Sequence, residues 1–121
     1  MPDLEAARAF YADALGLEIV SGPFEDPIQK VKVCFVGSPQ SAPIELICPL
    51  DSNSPVNKYL AKGIGAYHVC FAVTGIRDAL AELWQKGCVI VSEPVPAVAF
   101  AGKQIAWCFS PTRQLIELLE R

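Results

Sequence analysis

Residues Gly16–Pro23 read GLEIVSGP and residues Gly87–Pro94 read GCVIVSEP, an offset of 71 positions (87 minus 16). The tripeptide IEL occurs at Ile44 and again at Ile116, an offset of 72 (116 minus 44). Similarity at a nearly constant offset is the sequence signature of a duplicated structural unit. The chain is therefore predicted to contain two copies of one strand-helix-strand-strand-strand module, an α+β architecture.

Apolar spacing, cap residues and turn residues predict the individual helices and strands. In the first half, a helix with apolar residues at Leu4, Ala7, Phe10, Tyr11 and Leu15 begins after Asp3 and ends at Gly16; strands follow at 17–21, 28–36 and 44–48, with a loop at 22–27. In the second half, after a short helix capped by Ser54, strands at 66–73, 88–92, 103–110 and 115–119 accompany a helix at 76–86 that carries Trp84. Phe10, Tyr11 and Trp84 are expected in the core. We expect one domain, with module one at 1–49, a linker with the short helix at 50–64, and module two at 65–121.

The second module has a first strand that the first module lacks. The repeat mate of His68 in that strand would lie four positions before position zero (68 minus 72). We therefore expect the first strand of module one to be missing from this chain. An eight-strand plan would be left with seven strands.

Composition excludes several classes of protein. Hydrophobic residues make up 52% of the 121 residues, no apolar run is long enough to span a membrane, and the net charge is -3 without a basic cluster. We expect no nucleic acid and no membrane as partner. Five cysteines without a C-x-x-C pair predict reduced thiols and a cytoplasmic protein.

The predicted strand around the only histidine, Gly65–Val73 (GAYHVCFAV), has two unequal faces because side chains alternate along a strand. One face is bulky and needs a core, whereas the other has small residues around the imidazole, like the floor of a cleft. The bulky face consists of Tyr67, Val69, Phe71 and Val73, and the small face of His68, Cys70 and Ala72.

Two carboxylates, Glu45 and Glu117, lie in the middle of apolar strands, where an ionised group without compensation is costly to bury. The apolar neighbours of each carboxylate should pack against a helix, so both carboxylates should project to the opposite face of their strands, as His68 does. Two carboxylates and one imidazole form a ligand set suited to a divalent ion such as Mn, Co, Ni, Fe or Zn. Such an ion could stabilise negative charge while a proton is removed beside a carbonyl.

Other interpretations of the same residues stay open. His68 could be a hydrogen-bonded structural residue, Glu117 could be solvated at a sheet edge, and Glu45 could pair with Lys32 or Lys103 without any metal.

Further site residues are expected from their positions along the chain. Glu25 and Asp26, before the second strand, are candidates for the catalytic base beside Glu117, and nothing in the sequence fixes their aim. Lys32 and Gln104 are expected on the cleft face, where they could contact a polar substrate or be ordinary surface residues. Cys34, Cys70 and Cys108 could line the cleft, but no second histidine is present to activate a nucleophilic thiol.

Three segments resemble the vicinal oxygen chelate superfamily, which includes glyoxalase I, extradiol dioxygenases and bleomycin-resistance proteins. DLEAARAFYADALGLEIV resembles its first helix and strand, LIELLER resembles its last strand, and IELICPLDSNSPVNKYLAKGIGAYHVCFAV is especially similar to its epimerase and glyoxalase-like members. The resemblance covers nearly the whole chain. It implies paired βαβββ modules that form a curved, partly open barrel, a homodimer, and a divalent metal in the cleft.

Carried over residue by residue, the resemblance places metal ligands at Glu45, His68 and Glu117, and a fourth in the first strand that module one lacks. It implies a metal-dependent isomerase, epimerase or lyase acting on a small carbonyl or thioester substrate, similar to methylmalonyl-CoA epimerase or lactoylglutathione lyase. The alternative is a metal-free protein of the bleomycin-resistance type that binds a small molecule. A third interpretation is a remnant whose exposed edge strands pair with another chain.

Overall fold

The computed structural model describes all residues, Met1–Arg121, and divides into two compact units, Met1–Gly65 and Ala66–Arg121. The first unit contains α1 (Leu4–Leu15), β1 (Glu18–Asp26), β2 (Val31–Gly37), β3 (Ile44–Pro49) and α2 (Asn57–Ala61). The second contains β4 (Val69–Val73), α3 (Ile76–Gln85), β5 (Val89–Ile90), β6 (Val95–Pro96), a 3-10 turn (Val98–Phe100), β7 (Gln104–Phe109) and β8 (Leu115–Glu120). None of these helices has the length and apolar content to cross a membrane.

Each unit is built around one open sheet. The first sheet is antiparallel in the order β1-β2-β3, and the second has the order β4-β8-β7-β5, with β6 also paired to β7. Within the second sheet β4 runs parallel to β8, whereas the other pairs are antiparallel. The predicted α+β class with βαβββ-type modules is confirmed, and the first element of the first unit is α1.

The duplication appears in the register of the strand pairs. Phe35 lies opposite Glu45 in the first sheet, and Trp107 lies opposite Glu117 in the second. Both pairs are related by a shift of 72 positions (107 minus 35, and 117 minus 45). The structure therefore places an aromatic residue beside the strand carboxylate of each unit.

The first helix forms as its sequence predicts. Asp3 Oδ1 accepts a hydrogen bond from the Ala6 backbone N–H at 3.1 Å, and Gly16 ends the helix in the left-handed conformation at φ 67°. Its buried face packs Leu4 against three residues of β2 and β3, namely Cys34, Val36 and Leu46. The core position expected for Phe10 is wrong, because its side chain is 58% exposed.

The second long helix covers the corresponding face of the second sheet. Ile76 and Leu80 of α3 pack against Ala106 of β7 and Leu118 of β8. Because Leu46 and Leu118 contact helices, Glu45 and Glu117 project to the opposite face of their own sheets, which confirms the predicted orientation. Trp84 is 66% exposed, so its predicted burial is wrong.

The predicted loop at 22–27 is instead the second half of a long irregular strand. β1 continues to Asp26 and slips in register against β2 between Ser21 and Phe24. Gly22 allows this slip, because it has φ +89° and a Cβ there would lie 2.9 Å from the Val33 carbonyl oxygen. The glycine and proline in this segment suggested a loop, although β1 pairs with β2 on both sides of the register shift.

The strand around the histidine is shorter than predicted. β4 begins at Val69, so His68 immediately precedes the strand. Of the bulky face, Val73 packs against the α3 cluster, whereas Val69 and Phe71 are exposed. The prediction of a fully covered face is therefore wrong, because α3 covers only one end of this edge strand.

The five cysteines are free thiols. Cys34 and Cys108 are fully buried in their sheets, whereas Cys70 is exposed. Burial raises the pKa of the Cys34 thiol, and burial together with the neighbouring Cys88 raises the pKa of the Cys108 thiol. Cys34 and Cys108 therefore behave as small core residues and do not line a cleft.

Replacing Leu46 with alanine is expected to lower the free energy of unfolding by about 2–5 kcal/mol, because the side chain is only 1% exposed and its loss leaves a cavity. Ile44→Ala, on the same strand but 42% exposed, is the matched control and should cost less than about 1 kcal/mol. Urea unfolding followed by circular dichroism measures both changes. Equal losses for the two variants would contradict the packing described above.

Alkylation by iodoacetamide should separate the thiols by burial. Near neutral pH, mass spectrometry should find Cys70 labelled in the folded protein, and Cys34 and Cys108 labelled only after unfolding. Because the pKa of both buried thiols is raised, their thiolate fraction at a given pH is also lowered, which slows alkylation further. A Cys70→Ser variant is the control; rapid labelling of Cys34 in that variant at neutral pH would disprove the prediction.

Candidate metal centre

The second unit brings the only histidine beside a buried carboxylate. His68 Nε2 lies 3.1 Å from Glu117 Oε2, and the two side chains are only 8% and 3% exposed. The nitrogen and the oxygen thus face each other within hydrogen-bond distance, away from bulk water. Residues 49 positions apart in sequence (117 minus 68) meet here.

Parallel pairing of β4 with β8 produces this contact. Cys70 lies opposite Glu117 in the register of the two strands. His68 precedes Cys70 by two positions and therefore projects to the same face as Glu117. The predicted shared face of His68, Cys70 and Glu117 is confirmed.

Two aromatic rings enclose the imidazole. The Tyr67 ring centroid lies 4.7 Å from that of His68, and the Trp107 centroid lies 4.8 Å from it at an interplanar angle of 74°. Trp107 also lies opposite Glu117 on β7, so one tryptophan neighbours both polar groups. The sequence interpretation missed Trp107, although its position 72 residues after Phe35 could have identified it.

The burial of Glu117 excludes one alternative left open by the sequence, namely a carboxylate solvated at a sheet edge. A carboxylate that is 3% exposed is not solvated at a sheet edge. Burial of an ionised carboxylate is costly unless a hydrogen bond, an opposite charge or a metal ion compensates it. The His68 imidazole supplies a hydrogen-bond partner, and an imidazole nitrogen with a carboxylate oxygen is a donor pair that suits a divalent first-row ion.

Glu45 occupies the equivalent place in the first unit. It is half-buried on β3, faces away from α1, and lies opposite Phe35 as Glu117 lies opposite Trp107. Glu45 thus offers a carboxylate oxygen as a possible metal ligand in the first unit, as Glu117 does in the second.

The two candidate bases differ in their surroundings. Glu25 is exposed on β1, opposite Lys32 of β2. Asp26 is buried, and its Oδ1 accepts hydrogen bonds from the backbone N–H groups of Ile28 and Gln29, both at 3.0 Å. The Asp26 carboxylate thus closes the turn between β1 and β2, which also explains why β2 begins at Val31 and not at Ile28.

The face expected for Lys32 and Gln104 is wrong. Lys32 alternates with Cys34, which packs beneath α1, and Gln104 alternates with Ala106, which packs beneath α3. Both residues therefore belong to the helix-covered faces of their sheets. Their contact with a substrate stays a prediction that this alternation does not favour.

Comparison with known proteins identifies the family. Residues 1–107 match the family model described as Glyoxalase/Bleomycin resistance protein/Dioxygenase superfamily. An ethylmalonyl-CoA/methylmalonyl-CoA epimerase from Cereibacter sphaeroides is 36% identical over 107 residues, which cover 87% of this chain and 78% of that protein. The mitochondrial methylmalonyl-CoA epimerase from Bos taurus is 42% identical over 95 residues, 77% of this chain and 53% of that protein, so the chain spans about half its length.

Solved structures agree with the sequence relatives. The crystal structure of methylmalonyl-CoA epimerase from Mycobacterium tuberculosis superimposes with a TM-score of 0.85 at 28% identity, covering 99% of this chain and 81% of that one. The duplicated modules, the register of the strand carboxylates and the family match lead to one conclusion. This chain belongs to the glyoxalase/bleomycin resistance protein/dioxygenase superfamily.

Proposed function

We propose that this protein is a metal-dependent epimerase-type enzyme that promotes removal and return of a proton on the carbon next to a carbonyl group. The observation that carries the proposal is the buried contact between His68 Nε2 and Glu117 Oε2 at 3.1 Å. A protein that only enclosed an apolar molecule would have no need of a buried imidazole–carboxylate pair, whereas a divalent ion requires such donors.

The metal would be held by Glu45, His68 and Glu117. Their atoms are one nitrogen and two oxygens, a set that suits Mn, Co, Ni, Fe or Zn and needs no thiolate. Three protein ligands leave coordination positions open for substrate oxygens, as in catalytic sites. A bound divalent ion would supply Lewis-acid stabilisation of negative charge on the substrate carbonyl oxygen.

A small acyl thioester is the substrate class we propose. Two relatives that are 36% and 42% identical to this chain are named as epimerases of methylmalonyl-CoA, one of them also of ethylmalonyl-CoA. In such substrates the carbon between the thioester and the carboxylate carries an acidic hydrogen. Loss of that hydrogen and its return to the opposite side of the planar carbon inverts the configuration.

A carboxylate of this chain would accept the proton. Of the two candidates on β1, Glu25 lies opposite Lys32 and so projects to the helix-covered face, whereas Asp26 lies opposite Val31 and projects to the face of Glu45. We therefore propose Asp26 as the general base, with its carboxylate held in place by the backbone N–H groups of Ile28 and Gln29. Glu117, the third candidate for the base, would instead act as a metal ligand.

We further propose that the protein is a homodimer and that it is located in the cytoplasm. The resemblance to the superfamily supports the dimer, and five free thiols are typical of a reducing compartment.

Removal of a proposed ligand should abolish metal binding and turnover together. Protein purified without chelator should contain about one divalent ion per chain, and His68→Ala and Glu117→Gln should weaken metal affinity by more than the roughly 10–100-fold that loss of an outer-shell partner costs. Elemental analysis and calorimetric titration with Co²⁺ measure the metal. Nuclear magnetic resonance of methylmalonyl-CoA in D₂O measures exchange of the acidic hydrogen.

Glu93→Gln is the matched control, because Glu93 is an exposed carboxylate paired with Arg77. It should leave both metal content and exchange unchanged. Wild-type metal content that survives in His68→Ala would contradict the proposed ligand. Binding of a small molecule without metal and without exchange would instead indicate a metal-free binding protein.

Asp26→Asn should separate proton transfer from metal binding. The variant should retain the wild-type metal content and lose about 100-fold in the exchange rate, since a positioned general base contributes roughly 10²–10⁴-fold. It should also lower thermal stability, because the turn at Ile28 and Gln29 depends on the Asp26 carboxylate. Glu25→Gln, one position away on the opposite face, is the matched control and should keep the wild-type exchange rate. Exchange at the wild-type rate in Asp26→Asn would exclude Asp26 as the base.

A further inference from the structure

We infer that Trp107 is a positioning residue that fixes the orientation of the His68 imidazole and thereby raises the affinity of the site for its metal ion. The inference rests on the proposed function in one respect, namely that His68 binds a metal. The orientation of the ring itself is a property of the metal-free protein and can be measured there.

The contact has a defined geometry. The rings of Trp107 and His68 meet edge-to-face, with centroids 4.8 Å apart and planes inclined by 74°. This arrangement is a preferred one for aromatic pairs, because the positive edge of one ring meets the negative face of the other. The Tyr67 ring, 4.7 Å away and tilted by 60°, is a second aromatic neighbour of the imidazole.

The backbone of Trp107 is itself held by the segment that follows β5. Its backbone N–H donates to Ser92 Oγ at 3.2 Å, and its carbonyl oxygen accepts from the N–H groups of Val91 and Ser92 at 2.8 and 3.3 Å. On the other side, β7 pairs with β8 so that Trp107 lies opposite Glu117. The backbone N–H and carbonyl oxygen of Trp107 are therefore both hydrogen-bonded, and the indole projects from a strand with a neighbour on each side.

Such support matters at this position because His68 is outside the regular strand. β4 begins at Val69, so His68 lies just before the regular pairing that holds Cys70 beside Glu117. The imidazole can rotate about two side-chain bonds, and only some orientations aim Nε2 at Glu117. A rigid ring beside it removes the other orientations, which lowers the entropic cost of ligation.

The first unit also has an aromatic residue at the position equivalent to Trp107, which independently supports a role for this position beside the strand carboxylate. Phe35, the residue equivalent to Trp107, lies opposite Glu45 on β2. Each strand carboxylate thus has a large aromatic neighbour on its own face, although the opposite face of each sheet carries small or aliphatic residues at the adjacent register positions, Cys34 and Ala106.

The test compares Trp107→Leu with Trp84→Leu, the same change at the exposed second tryptophan of the chain. By calorimetric titration with Co²⁺, Trp107→Leu should weaken affinity about tenfold, Trp107→Phe should recover most of that loss, and Trp84→Leu should match the wild type. Equal affinities for the two leucine variants would overturn the inference, since a folded Trp107→Leu protein would then ligate metal without its ring.

A second readout uses no metal. His68 is the only histidine, so its ring protons give one set of resonances. At a fixed pH these should shift in Trp107→Leu and stay in place in Trp84→Leu, and wild-type spectra should show nuclear Overhauser contacts between the His68 and Trp107 rings. The wild-type contacts can be measured even where Trp107→Leu fails to fold, and their absence would overturn the inference.

The two readouts also separate this inference from the proposed function. A wild-type protein that binds no Co²⁺ but shows the ring contacts and the shift would refute the metal site and support the positioning role. A wild-type protein that binds Co²⁺ through His68 but shows no dependence on Trp107 would do the reverse.

Discussion

The buried carboxylate of Glu117 is the constraint around which the second unit is arranged. An ionised group at 3% exposure needs a compensating partner, and parallel pairing of β4 with β8 supplies one by bringing His68 Nε2 to 3.1 Å. A slip of one residue in that pairing would turn the imidazole to the face covered by α3. The register of two strands therefore decides whether the second unit contains a buried imidazole–carboxylate pair.

Duplication of the module repeats this arrangement in part. Glu45 and Glu117 have the same register against an aromatic residue of the preceding strand and the same orientation away from the helix of their own unit. The histidine occurs only in the second unit of this chain, so the two units are equivalent in their acids and differ in the imidazole.

Features set by local chemistry were predictable from the sequence. Asp3 and Gly16 define α1 through a side-chain cap and a left-handed stop, and alternation placed Glu45 and Glu117 on the correct faces. The offset of 72 positions identifies both acids from the sequence alone. The α+β class followed from the same repeat, whereas the family was indicated by the resemblance of three segments to its members.

Features set by tertiary packing were not predictable from local patterns. Phe10 and Trp84 follow the helical stripes of buried residues, but both side chains are exposed and neither belongs to the core cluster beneath its helix. The strand through Gly22 looked like a loop, since an irregular edge strand tolerates residues that a regular strand excludes. Lys32 was assigned to the wrong face because nothing in the sequence showed which face of β2 the helix covers.

X-ray absorption spectroscopy of the Co²⁺-loaded protein tests the central claim most directly. Because the chain has one histidine and five cysteines, the identity of the scattering atoms reports which residues bind the ion. The account predicts one imidazole per cobalt, with oxygen atoms filling the remaining positions. A sulfur scatterer near about 2.3 Å, or the absence of an imidazole, would contradict it.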